Sequence, residues 1–565
     1  MKNKILLIIF LAGFTFLSSC TDLNLNPLSQ GSSANWYSNE SEITMALNDL
    51  YRDIFWPRDA ESWTDDYINR DITTPFTNGT LNGEDGTINS WWQNSYKCIA
   101  RANTILANLE KSKSTLSQTI IDKYAGEARF VRAAQYALLI SHYGDVVYST
   151  SILSLEESFS MSKTDKKTIL KSIYDDYDFA VSKLPTSYGG TTNMHATKGA
   201  ALAMKARIAL FFGEWAVARD AAKACMDLNV YQLHADYQTL FLSKTRNPSE
   251  LVFGIPRSTL LNVTIGDTKN WITRLSGGWG GAEAPSWELF CAYLCKDGLP
   301  IDESPLFNPR LPFVNRDPRC TASIVEFQTP WLGFMYQPHP DSLKVTSFKT
   351  GLKVTNNDTR SNAAFASFNG LMLKKAVDEE WTDDYKAENE IFIMRFADVL
   401  LIYAEAKTEL NEIDQTMLDL SINKVRARAY KVAVTDKVNY PAITSTNQAA
   451  VRKAVRIERR MELAFEGRRY EDMVRWKMSE KVINRNSYAM LDVADLRTKV
   501  INKGLWFFPQ TPEIDDDGNA IFEPLYTAGL IKRVAIRNFA AKQYLWPIPT
   551  KEILINPNLK QNDGY

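Results

Sequence analysis

Between Trp92 and Leu228 the apolar residues recur every third or fourth position, a spacing that places them on one face only in a helix. Trp92, Tyr96, Ile99, Asn103 and Leu106 form one such stripe. Ile121 to Tyr143 is a long alanine-rich pattern with Gly144 as its stop. Ile169, Ile173, Tyr177, Ala180 and Leu184 form a third, ended by Pro185. Thr197 is placed to cap a helix from Lys198 to Phe212, and Gly213 separates it from another at Trp215 to Leu228. Helices are expected again at Ile391 to Leu410, Gln415 to Tyr430 and Asn447 to Phe465.

The last pair of the first half is rich in small residues, with Ala218, Ala221, Ala222 and Cys225 following Gly213-Glu-Trp215. This resembles a tetratricopeptide unit, in which small residues let paired helices approach closely. The period is irregular, so a few degenerate units are expected rather than a regular solenoid. From about Thr245 to Glu388 the pattern dissolves into short apolar runs broken by Gly277-Gly-Trp-Gly-Gly281 and several prolines. That stretch reads as loops and short strands, with one short helix from Ser286 to Leu294. Long irregular segments of this kind usually carry function. The fold class is mainly α, with tetratricopeptide-like helix pairs and a long loop-rich, minor-β region.

The N-terminus says where the chain works. Lys2 and Lys4 precede an apolar run from Ile5 to Leu17, too short to span a bilayer but right for a secretory signal. Ser18-Ser19-Cys20 is then the pattern of a bacterial lipoprotein cleavage site. Acylation of Cys20, at about 0.8 kcal/mol per buried CH₂, would anchor a body with no other membrane segment. The expected divisions are 1–19 as signal, 20–275 as the N-terminal region and 276–565 as the C-terminal region. A net charge of −3 after loss of the leader offers no basic field for nucleic acid. Cys98, Cys225, Cys291, Cys295 and Cys320 suit neither a disulfide framework nor a zinc site.

No cofactor or metal is expected. Glu513-Ile-Asp-Asp-Asp-Gly518 approaches the start of a calcium loop, but it opens with Glu and has Pro524 where the closing carboxylate is needed. It reads as an acidic turn. There is no G-x-S-x-G elbow and no H-E-x-x-H pair, and His142, His195, His234 and His339 are isolated. A lipid-anchored hydrolase is the competing reading from another class, because acidic residues are numerous enough to form a glycosidase pair. Absence of enzymatic activity is the expectation.

Arg456-Ile-Glu-Arg-Arg-Met-Glu-Leu-Ala-Phe-Glu-Gly-Arg-Arg-Tyr-Glu-Asp-Met-Val-Arg-Trp476 packs charges around an apolar stripe, with Gly467 as a helix break. Bidentate pairs fastening helices together explain that density better than catalysis does. The segment resembles the signature helix of the SusD/RagB family. Glu127-Ala-Arg-Phe-Val-Arg-Ala133 with His142-Tyr-Gly-Asp-Val146, Lys296-Asp-Gly-Leu-Pro-Ile301 with Asn315-Arg-Asp-Pro-Arg319, Arg395 to Glu405, and Tyr544-Leu-Trp-Pro-Ile-Pro549 through Asn562 agree in the family's order. The resemblance implies an α-helical body with four tetratricopeptide-like helix pairs. It also implies a lipid-anchored place on the outer face of a Gram-negative outer membrane, capping a SusC-like TonB-dependent transporter. The implied task is capture of an oligosaccharide or polysaccharide, or in some members a peptide, for import.

A sugar offers an apolar face and a hydroxyl rim, so its binder needs flat aromatics beside Asn, Asp, Arg or Gln. Three segments supply both: Asp65-Asp-Tyr-Ile-Asn-Arg70, Trp91-Trp-Gln-Asn94 and Trp331-Leu-Gly-Phe-Met-Tyr336. The candidate contacts are Asp66, Tyr67, Asn69, Arg70, Trp91, Asn94, Trp279, Trp331 and Tyr336. Trp331 and Tyr336 lead, because they join no helical stripe. Trp92 continues a stripe and reads as core, while Trp91 lies off it. Asp65 and Asp66 also read as a solvated pair with Arg70 as partner, and Trp279 as either a platform or a crevice anchor. Trp476 and Trp546 read as structural.

Overall fold

The computed structural model describes residues 36, 37, 39–189, 194–266 and 268–565. Cys20 and the leader lie outside them. An unforeseen helix, α1 Glu40–Leu50, comes first, and the helical stripes then form helices close to the expected bounds: α2 Gly86–Leu109, α3 Gln118–Tyr143, α4 Lys166–Lys183, α5 Lys198–Phe211 and α6 Trp215–Asp227. Their caps are local. Asp85 accepts from the Thr87 amide at 2.8 Å, and Thr197 from that of Ala200 at 3.1 Å. Each of α2 to α6 packs on the next, so the first half is a run of paired helices. Alanines make the closest pair possible: Ala200, Ala203 and Ala206 of α5 and Ala218 and Ala222 of α6 are fully buried. Arg132 fastens three helices at once, with a bidentate bond at 2.8 Å to Asp176 and one of 2.9 Å to Asn103.

The second half departs from the expected pattern in two respects. Ile391 to Arg395 is a strand rather than the start of a helix. It pairs antiparallel with Leu251–Ile255, and every residue of both is buried. A run of five residues rich in Ile and Phe, buried on both faces, carries no helical stripe, and pairing decides its conformation. The helix α8, Phe396–Glu409, begins only after it. The expected helix from Gln415 to Tyr430 is broken at Ser421 into α9, Gln415–Leu420, and α10, Ile422–Ala429. Ser286 caps the short helix α7, Trp287–Ala292, as foreseen. Sheets among the described residues are all two-stranded.

Helix α11, Gln448–Glu462, is the hub between the halves. Its charged residues are buried and paired. Glu462 accepts from Arg395 at 2.7 Å and Arg319 at 2.9 Å, and also pairs with Arg428. Glu458 takes Arg426 at 2.7 Å and Arg319 at 2.5 Å. Arg459 bridges Asp398 at 2.9 Å and Asp472 at 3.0 Å. The Arg319 of the Asn315-Arg-Asp-Pro-Arg319 motif is therefore a strut. After the hub the chain turns at Gly467, whose φ of +68° and approach to the Asp59 carbonyl leave no room for a side chain; a Cβ would sit 2.8 Å from that oxygen. Among the described residues the five cysteines are free and buried. The Glu513 segment is a tight hairpin in which Asp515 accepts from the Asp517 and Asn519 amides and from Arg485.

Two predictions follow from the hub. Glu462→Gln leaves three guanidinium groups facing a neutral amide, and should cost about 3–5 kcal/mol in chemical denaturation; an unmoved midpoint would refute the strut role. The pH profile has two opposed arms. Burial would raise Glu462 and Asp398, but the arginines, Arg428 and Arg207 foremost, hold both far below the usual carboxylate range. Their contribution is complete above the unfolded carboxylate range near pH ~4 and is lost as pH falls through the lower folded values. Burial pushes Glu61 and Glu288 up to about 7, so their contribution declines as pH rises toward 7. The melting temperature should therefore peak near about pH 5 and fall on both sides.

Candidate functional site

The segment Asp65 to Arg70 splits between interior and surface. Asp65 and Asp66 are 1% exposed and bind Arg460 and Arg469, with Arg469 bidentate to Asp65 at 2.8 and 2.9 Å. They are neither a solvated pair nor partners of Arg70, and Asp66 is closed to a ligand. Burial would raise the Asp65 carboxyl, but Arg460 and Arg469 overcome it and hold it below its usual range. The chain then leaves the interior as strand β1, Tyr67–Asn69, antiparallel to Glu283–Pro285. Ile72 donates back to the Asn69 carbonyl at 2.8 Å, and this tight turn puts Arg70, at φ +47°, at its tip.

Arg70 joins two loops. Its Nη2 donates to the Trp279 carbonyl at 2.8 Å and to the Phe365 carbonyl at 3.1 Å, and its guanidinium lies 5.2 Å from the centre of the Phe365 ring. Trp279 is 48% and Phe365 60% exposed. The Trp279 loop is held from behind by its own backbone: Trp279 donates to the Lys269 carbonyl at 2.8 Å and Gly280 to that of Ile272 at 3.1 Å. A Cβ at Gly280, where φ is +74°, would meet the Arg274 side chain at 2.6 Å. Asp358 ties the same two loops together inside the protein. It is 3% exposed, accepts from the Arg274 amide at 2.7 Å, and is pushed up to about 6 by burial.

The structure thus brings Asn69, Arg70 and Trp279 together and adds Phe365, which sequence reasoning missed. The available signal was weak: an aromatic in the irregular stretch, amid Asn362-Ala-Ala rather than among glycines as Trp279 is. The other candidates lie elsewhere. Trp91 is 8% exposed, with ring centres 5.6 Å from Trp63, 5.2 Å from His142 and 5.0 Å from Trp546, so it is part of the core. Asn94 is half-buried on the same helix. Tyr336 is 1% exposed and donates to the Gly370 carbonyl at 2.8 Å; the hairpin of Thr329–Trp331 and Phe334–Tyr336 folds back on the body and turns that ring inward. Trp331, half-buried, packs between two apolar clusters, and its buried indole N–H has no partner among the described residues. Trp546 is a core residue, as expected, and Trp476 donates to Glu405 at 2.8 Å.

Tyr67 faces a cleft of about 480 Å³ next to this surface. Its ring meets Trp271 edge-on at 6.0 Å, and burial followed by the nearby Glu283 pushes its hydroxyl well above the usual range. Asn270 donates to Glu283 at 2.9 Å. The cleft and the exposed rings share the β1 strand and the 271–281 loop. Among the described residues no His/Cys/Asp/Glu group is arranged to hold a metal ion. Exposed rings fixed by their backbone, beside amide and guanidinium groups, form a surface that can stack and hydrogen-bond without any nucleophile.

A family model for the SusD family matches residues 224–565, and another, described as starch-binding and associating with outer membrane, matches residues 25–210. The chain is 22% identical to SusD-like protein P25 of Formosa agariphila over 481 residues, 80% of this chain and 86% of that one. It is similar to a crystal structure of a SusD-like carbohydrate binding protein from Bacteroides fragilis, with a TM-score of 0.75, 28% identity, and coverage of 93% of this chain and 99% of the other. A laminarin binding SusD-like protein shares the fold at a TM-score of 0.60 and 19% identity, over 94% of this chain and 100% of that one. With the family model covering more than half its length and the helical body matched almost end to end, the chain belongs to the SusD family.

Proposed function

We propose that this protein is a non-catalytic, cell-surface capture protein for an oligosaccharide or polysaccharide, which it delivers to a SusC-like TonB-dependent transporter. The observation that carries the reading is the Trp279–Phe365 pair mounted on Arg70: two exposed rings whose backbone is fixed before any ligand arrives. A pre-set ring loses little freedom on stacking against a sugar face. Asn69 and Arg70 lie at its edge to meet hydroxyls. The carbohydrate-binding relative from Bacteroides fragilis and the starch-binding description of the second family model support the ligand class. The same description supports association with the outer membrane, and Cys20 is the proposed lipid attachment point.

An open surface of this kind should bind with micromolar to millimolar dissociation constants, about −8 to −4 kcal/mol. Such affinity suits a protein that must hand its cargo on.

Calorimetry or affinity electrophoresis against a panel of soluble glycans and peptides tests the reading. Replacing both rings, Trp279→Ala with Phe365→Ala, should weaken glycan binding about tenfold or more, given about 0.5–1.5 kcal/mol per ring contact, and leave the melting temperature within a few degrees. Affinity unchanged by the double substitution would remove the platform from the site. Arg70→Ala should weaken binding too, because the loops lose their shared donor, and Arg70→Lys should restore it only in part, since an ammonium can donate to both carbonyls but lacks the flat guanidinium that lies over the Phe365 ring. Release of reducing sugar from any bound glycan would overturn the non-catalytic assignment.

A further inference from the structure

The cleft beside the platform contains two guanidinium groups that form no ion pair among the described residues. Arg58 and Arg257 both line it. Among the described residues, Arg58 makes no hydrogen bond or ion pair, and Arg257 reaches only the Asn389 carbonyl at 3.4 Å while its buried Nε has no partner. The contrast with the rest of the interior is sharp. Arg319, Arg395, Arg426 and Arg428, which are buried where Arg58 and Arg257 are half-buried, each meet one or more carboxylates within 3 Å. A half-buried cation without a partner is partly desolvated, a cost that a bound anion offsets.

The cleft does contain carboxylates, and apart from the exposed Asp53 near Arg257 they are engaged. Glu466 is taken by Arg395 and Lys375, and Asp59 by His142. Glu283 accepts from Asn270 and Glu390 from the Asn247 amide. Glu61 accepts from the Gly467 amide through one oxygen. Burial pushes Arg257 down to about 10, reinforced by its neighbour Arg58, and burial followed by Arg468 lowers Arg58 as well. Two mutually repelling cations in a cleft of about 480 Å³, within the roughly 300–1,000 Å³ of small-molecule sites, are placed to receive an anion. Trp271 and Tyr67 on the same wall supply the apolar surface that a sugar ring needs.

We propose that this cleft is a subsite for an acidic sugar residue, whose carboxylate or sulfate substituent is bound by Arg58 and Arg257 while its ring lies against Trp271 and Tyr67. The proposal rests on the glycan-capture reading and names the class of cargo. The intact mature chain is titrated with length-matched oligosaccharides that are neutral (laminari-oligosaccharide), carboxylated (oligogalacturonate) or sulfated (carrageenan oligosaccharide). An acidic oligosaccharide should bind about tenfold or more tightly than the neutral one at low salt, an advantage that shrinks as salt is raised. Carboxylate and sulfate are told apart by which of the two acidic ligands has the advantage. The double variant R58Q/R257Q should abolish it while leaving binding of the neutral oligosaccharide within about twofold. The single variants R58Q and R257Q should each lose part of the advantage, which keeps the test open if the double variant folds poorly. An acidic oligosaccharide with no advantage, or one whose advantage survives both single substitutions, overturns the subsite and leaves glycan capture standing. Failure of every glycan to bind overturns both.

Discussion

The carboxylate of Glu462 is the point on which the architecture turns. It is fully buried, and arginines from three separate segments, Arg319, Arg395 and Arg428, converge on it. No hydrophobic contact could specify this arrangement so narrowly. Each guanidinium must find its carboxylate or stay desolvated without a partner, so an alternative packing of α11 against its neighbours carries a large penalty. The irregular C-terminal half contains few long helices and only two-stranded sheets, and these ion pairs fasten it to the regular first half.

The same helix reaches the surface through a short chain of contacts. Arg460, two residues before Glu462, holds Asp65 and Asp66. The carbonyls of those two aspartates accept from the Ser286 hydroxyl and amide, and so align β1 with its partner strand at the start of α7. β1 ends at Arg70, and Arg70 sets the Trp279 and Phe365 loops. The exposed rings are thus linked through a short series of contacts to the buried ion pairs around α11. Rigidity at the surface comes from electrostatics in the interior, an arrangement that gives a shallow site firm geometry without burying it.

How much of this was legible depended on whether the deciding physics was local. The helices of the first half were readable because their stripes and caps lie within one segment: Thr197, Gly144 and Pro185 did what their residue types predict. The strand Ile391–Arg395 was not, because its conformation is set by Leu251–Ile255, more than a hundred residues earlier. The same non-locality explains the site. Trp331 and Tyr336 looked free because Pro330 and Gly333 flank them, yet the hairpin folds back and buries Tyr336. Asp65 and Asp66 looked solvated, because their arginines lie almost four hundred residues away. Arg70 and Trp279 were identified individually by residue type and loop setting. Their meeting, and the presence of Phe365, required the tertiary fold.

Arg70 grips the carbonyls of positions 279 and 365, and Lys269 receives the amide of position 279; none of these bonds involves a ring atom. The scaffold therefore holds two main-chain mounting points and is indifferent to what they carry. Side chains at those two positions can be exchanged with every strut behind them kept.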